Sequence, residues 1–111
     1  MFYSKVILIG FLADDPETRY TPSGSAVTKF VLQIHDDGSR NERGPAHTVE
    51  VITIDKDALL QGESLSRGCW VLVEGRIRTR SWKTVDGNRR SKLEIIAEHI
   101  SVLEDKRPTT S

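Results

Sequence analysis

A chain of 111 residues has room for one ordinary domain and no more, so a single architecture is expected. Hydrophobic residues make up 37% and charged residues 29%, which excludes a disordered polyelectrolyte, and no apolar run approaches the roughly 20 residues needed to span a bilayer. The net charge is zero, which argues against a nucleic-acid partner until its distribution along the chain is considered.

The strand-like run Lys5-Val6-Ile7-Leu8-Ile9 begins almost at once and leaves no room for a secretory signal, so the cytoplasm is the expected compartment. A first strand is predicted over residues 4–12, stopped by Asp14-Asp15-Pro16 because proline cannot donate to a ladder. Thr21-Pro22-Ser23-Gly24 marks a turn, and a second strand follows over residues 26–34; Phe30, like Phe2 and Tyr3, is more a core or interface residue than a stacking one. Residues 36–46, DDGSRNERGPA, contain no hydrophobic side chain but the last and read as an exposed loop. A third strand is expected over residues 48–54. Asp55 can then cap a short helix reaching Ser66, with Leu59, Leu60 and Leu65 for packing and Gly68 placed to end it.

Cys69, alone of its kind, cannot form an internal disulfide and reads as a small buried hydrophobe beside Trp70, itself expected in the core. Strand resumes at Trp70 and continues through Trp82. Asp86-Gly87 between two extended arms signals a two-residue hairpin turn, whose central positions favour positive φ. The last strand is predicted over residues 89–103, closing one domain over 1–104 and leaving a polar tail over 105–111. The class is mainly β. Five strands with one short helix after the third match the order of a Greek-key oligonucleotide/oligosaccharide-binding (OB) barrel carrying an extended basic hairpin, although the pattern alone leaves other small barrels open.

The charge is segregated. Between Gly75 and Lys92 stand seven basic residues and one acidic one, whereas the other 93 positions carry nine basic and fifteen acidic residues. One positive face on an acidic body attracts a polyanion locally while the protein stays soluble. Side chains alternate across a strand, so Arg76, Arg78, Arg80 and Trp82 share one face. Guanidinium groups neutralise phosphates, and an indole offers a surface on which an unpaired base stacks. Beyond the turn, Arg89, Arg90 and Lys92, with Lys83 before it, extend the positive surface. The competing reading is a solvated face of arginines paired with acidic neighbours; the absence of Glu or Asp interleaved with these arginines argues against it. Arg19 and Tyr20 either contact DNA or shape the turn, and Lys5 and Lys29 are further candidates for phosphates.

Nothing in the chain points to an enzyme. His35, His47 and His99 are too scattered for a metal site, no Gly-x-Ser-x-Gly elbow places a nucleophile, and the glycines form neither a phosphate loop nor a dinucleotide fingerprint, so no metal or cofactor is expected.

Two blocks resemble the bacterial single-stranded DNA-binding protein family. The first is Lys5-Val6-Ile7-Leu8-Ile9-Gly10 with Leu12, Asp15-Pro16-Glu17, Arg19-Tyr20-Thr21-Pro22-Ser23-Gly24 and Ala26-Val27. The second runs from Arg67-Gly68 through Val71-Leu72-Val73-Glu74-Gly75-Arg76-Ile77-Arg78-Thr79-Arg80-Ser81-Trp82 to Asp86-Gly87. The resemblance covers roughly residues 4–97. It implies an OB fold, a homo-oligomer that is usually a homotetramer, sequence-independent wrapping of single-stranded DNA, roles in replication, recombination and repair, and a place in the cytoplasm at the nucleoid.

The chain also departs from that family. Where relatives carry a Trp-His-Arg-type run and a later Phe, an ungapped match back from Lys56 places Thr48-Val49-Glu50 and Ile54, so two stacking aromatics are missing and Glu50 stands where a base is usual. Phe11 replaces the usual Asn after Gly10. The ending Pro108-Thr109-Thr110-Ser111 lacks the family's acidic tip that recruits replication and repair proteins. Each lost platform removes about 1–3 kcal/mol of stacking, so a weaker or specialised binder is expected. A second reading, a primosome-like barrel whose surfaces mainly contact other proteins, draws on the same missing aromatics.

Overall fold

The structure is a computed structural model, and it describes residues 3–35, 46–54 and 64–104. Six strands follow one another among these residues: β1 (Val6–Leu12), β2 (Glu17–Tyr20), β3 (Ala26–His35), β4 (Ala46–Ile54), β5 (Trp70–Lys83) and β6 (Arg89–Glu104). They form one sheet in the order β1-β5-β6-β4-β3-β2, and β1 pairs with β3 as well. Hydrogen-bonded neighbours therefore run in a closed circuit from β1 through β5, β6, β4 and β3 back to β1, with β2 added on the far side of β3. All pairings are antiparallel except β4 with β6.

The sequence foresaw five of these strands to within two residues and missed β2. Glu17–Tyr20 lies between two turn signals and is too short and polar to announce itself; it is held as a strand by its pairing with Ala26–Lys29. The expected loop over residues 36–46 lies outside the described residues except for Ala46, which opens β4. Most of the expected helix also lies outside them; of its described residues Ser64 alone is helical, and the short helix is not borne out.

The core lies inside the circuit. Leu12, Phe30, Leu32, Val51, Val71, Val73 and Ile95 alternate inward from five strands, and Leu65 and Cys69 close one end. Full burial of each such aliphatic or aromatic side chain stabilises the fold by about 1.5–3 kcal/mol. Trp70 is not among them. In β5 the odd positions 71, 73 and 75 point inward and the even ones outward, so Trp70 lies half-buried outside the core with its ring 5.1 Å from that of Phe11. Tyr3, expected in the core or an interface, is 83% exposed, and Phe2 lies outside the described residues.

Two features project the hairpin. At Gly75 the register of β5 against β6 shifts, from Glu74 opposite His99 to Gly75 opposite Ala97. There the backbones come so close that a Cβ on Gly75 would collide with the Ile96 carbonyl oxygen. Gly75 is also the last residue of β5 paired with β1. Beyond the Glu94–Glu50 pairing to β4, residues 79–83 and 89–93 have only each other as neighbours, which leaves a two-stranded finger.

The tip of the finger differs from the expected two-residue turn. Thr84 and Asn88 form the last backbone pair, enclosing Val85-Asp86-Gly87, and the Gly87 amide donates to the Thr84 carbonyl at 3.0 Å. Gly87 has φ of 87°, the left-handed geometry that completes a three-residue hairpin loop. The Asp86 carboxylate accepts from the Thr84 hydroxyl and from Asn88 Nδ2. These bonds, that from Thr84 foremost, lower its pKa from the ordinary value. Thr21 and Ser25 enclose Pro22-Ser23-Gly24 in the same way, with Gly24 at φ 90°.

Candidate nucleic-acid interface

The even-numbered face of β5 carries Arg76, Arg78, Arg80 and Trp82, as period-two alternation requires. The register extends that face across the sheet. Opposite these four on β6 stand Ile96, Glu94, Lys92 and Arg90, and β4 adds Glu50 and Ile52 beside Glu94 and Ile96. Lys29 and Val27 on β3 continue it, followed by Glu17 and Arg19 on β2. A cleft of about 250 Å³ crosses the face, lined by side chains of β2, β3, β4, β5 and β6 that include Arg19, Lys29, Ile52, Arg80 and Glu94.

The twelve candidates from the sequence do not form one patch. Arg19, Lys29, Arg76, Arg78, Arg80, Trp82, Arg90 and Lys92 share the face just described. Lys83 and Arg89 are paired with one another and, by alternation, lie on the reverse of the finger with Leu93. Tyr20 is 66% exposed but alternates to the side of β2 away from Arg19. Lys5 lies 4.0 Å from Glu74 at a separate recess beside Tyr3, Arg76 and Glu98.

Sequence reasoning missed the acids. Glu94, only 2% exposed, takes Arg78 Nη2 at 3.2 Å on one oxygen and Arg80 Nε at 3.7 Å on the other. Glu50, its side chain 12% exposed, takes Lys92 Nζ at 2.7 Å and Lys29 Nζ at 3.5 Å, both on Oε1. The Lys92 hydrogen bond, helped by Lys29 against the opposing effect of burial, holds the Glu50 carboxyl below its ordinary pKa of 4.5. Arg19 pairs with Glu17 at 2.6 Å. Glu94 and Glu50 come from β6 and β4, so their pairing with Arg78 and Arg80 of β5, Lys29 of β3 and Lys92 of β6 is invisible along one strand, whereas Glu17 and Arg19 stand two residues apart on β2. The paired cations are still 43–79% exposed, and so keep donors for a second anion. Arg76 and Arg90 have no acidic partner among the described residues.

Trp82 is 40% exposed, with the Arg80 guanidinium carbon 5.2 Å from its ring centroid. One ring face is thus occupied by a cation–π contact, and the indole as a whole stays partly exposed. Thr48, Glu50 and Ile54 alternate onto this same face of β4, so the positions that lack the expected aromatics lie on the face that the cleft crosses.

The family model for the single-strand binding protein family matches residues 3–103, nearly the whole chain. The chain belongs to that family. It is 37% identical to a single-stranded DNA-binding protein of Clostridium tetani over 91% of this chain and 70% of that protein. A Thermotoga maritima protein of the same name is 36% identical over 98% of this chain and 79% of its own length. One from Wolinella succinogenes is 36% identical over 94% and 66% respectively. The family match thus takes in the whole described face, from Arg19 on β2 to Arg90 on β6.

Proposed function

We propose that this chain binds single-stranded DNA, without catalysis, across the face formed by Arg19, Lys29, Arg76, Arg78, Arg80, Trp82, Arg90 and Lys92. The observation that carries the reading is Trp82 beside arginines on one exposed face: a flat ring for an unpaired base and cations for the phosphates on either side. Stacking requires unpaired bases and tolerates any sequence, so the mode is single-stranded and non-specific. Replication, recombination and repair are the processes such a protein serves. The names of its relatives support the reading.

The closed circuit of pairings, with β2 as an added strand, supports reading the sheet as a five-stranded OB barrel. The chain acts as a homo-oligomer, with four copies as the family resemblance implies. Ile7 and Ile9, 58% and 53% exposed on the outer face of β1, support self-association because they extend the apolar surface of Phe11 and Trp70. Lys83 and Arg89, on the reverse of the finger, and Lys5 and Tyr20 at the margins, serve a strand that wraps beyond the main face.

Titration of labelled oligo-dT at several salt concentrations tests the function. Binding at low salt is expected, with log K falling against log salt at about −0.7 per phosphate contacted, hence at least −1.4 from Arg76 and Arg90 alone. Failure to bind at low salt would leave the protein-interaction reading in its place.

A further inference from the structure

The face carries its own anions. Five of its cations, Arg19, Lys29, Arg78, Arg80 and Lys92, are already partnered by carboxylates of the same chain. Two of these carboxylates are embedded in very different ways. Glu94 is buried and uses both oxygens, one for each arginine, as a structural ion pair does. Glu50 holds both lysines on Oε1, and its Oε2 is buried with no hydrogen-bond partner among the described residues. Leaving a buried carboxylate oxygen unpaired is unfavourable, so this charge is not optimised for the stability of the sheet.

We propose that Glu50 is an internal competitor for the DNA phosphates: it occupies Lys29 and Lys92, repels the polyanion, and so lowers the affinity and salt sensitivity of this face. The inference rests on the proposed function and goes beyond it by assigning a residue that opposes binding. Lys29 and Lys92 come from β3 and β6 and converge on Glu50 of β4 from either side, while nearly half of each side chain stays exposed. A phosphate arriving at either lysine shares it with an anion already 2.7 or 3.5 Å away. Glu17 does the same for Arg19 at the edge of the cleft, but is far more exposed than Glu50 and therefore acts more weakly.

The experiment compares wild type with Glu50→Gln, Glu50→Asp and Glu17→Gln for binding to labelled oligo-dT across a salt series, with thermal unfolding of each protein as a check on folding. Glu50→Gln keeps the shape and removes the charge. It should bind about threefold to tenfold more tightly at low salt and steepen the salt slope by about 0.7 for each lysine released to a phosphate. Glu50→Asp keeps the charge and should stay close to wild type. Glu17→Gln should gain less, in the same direction. Equal or weaker binding by a folded Glu50→Gln, with wild type binding, overturns the proposal and leaves the functional reading intact. Should Glu50→Gln not fold, a gain in Glu17→Gln supports the competitor logic and its absence overturns it. If neither wild type nor the variants bind at low salt, the functional reading fails and this inference with it.

Discussion

Trp82→Ala is the sharpest test of how a base is held. A base stacked on an aromatic ring contributes about 1–3 kcal/mol, which corresponds to about fivefold to 150-fold in affinity. The structure narrows that range. The Arg80 guanidinium sits over the indole at 5.2 Å and takes one ring face, so one base at most is lost. Truncation also releases Arg80 from a contact worth about 0.5–1 kcal/mol at an exposed site and frees it to approach a phosphate, which offsets part of the loss. A loss of about twofold to thirtyfold is therefore expected at low salt, and since no cation is removed the salt slope should not become shallower. Trp82 lies on the two-stranded finger and outside the core cluster, so the unfolding midpoint should move little. Anisotropy of labelled oligo-dT is the assay of choice, since Trp70 contributes a second indole to intrinsic fluorescence. Trp82→Phe, which keeps a ring, should recover most of the affinity. Binding by a folded Trp82→Ala within twofold of wild type would refute stacking at this site and leave a purely electrostatic surface.

The main face and the reverse of the finger should separate in the salt series: Arg76→Ala and Arg90→Ala are each expected to reduce the slope by about 0.7, whereas Lys83→Ala with Arg89→Ala should change it less on short oligonucleotides. Glu50 makes stability depend on pH. Its folded pKa is lowered chiefly by the Lys92 hydrogen bond, so its contribution is fully present well above 4.5 and is lost as pH falls below 4.5 through the folded value. Urea unfolding of wild type and Glu50→Gln from pH 7 to pH 3 should show a smaller acid-induced loss in the variant. Gly75→Ala drives a methyl group into the Ile96 carbonyl at the register shift; a loss of about 1–3 kcal/mol in chemical denaturation is expected.

Much of the fold was legible because strands write their signal locally. Alternating apolar residues such as Leu12, Phe30, Leu32, Val71 and Val73 mark both the strand and its inner face. What was lost came from partners distant in sequence. Glu17–Tyr20 is a strand only because β3 lies beside it, and no local pattern states that. Trp70 was expected in the core, yet its position one residue before Val71 puts it on the outer face. The finger's turn was correctly located and wrongly sized, since a Thr84–Asn88 backbone pair and the left-handed Gly87 define a three-residue loop from the same Asp-Gly signal.

The same locality explains why the counter-charges at the site went unseen. Seven bases against one acid between Gly75 and Lys92 suggested arginines free of partners, because an alternating strand can be inspected for acids only along its own length. In a sheet, the nearest side chains on a face belong to the neighbouring strands. Glu94 stands two residues beyond the basic segment, and antiparallel pairing sets it directly opposite Arg78, while Glu50 reaches Lys92 across the parallel β4–β6 junction. The basic segment thus meets its counter-charges through topology, which sequence distance conceals. A face built this way has a low net charge for its number of cations. Its attraction for a polyanion then depends on how readily each carboxylate gives up its partners, and Glu50, with one oxygen engaged and the other unpaired, gives them up more readily than Glu94.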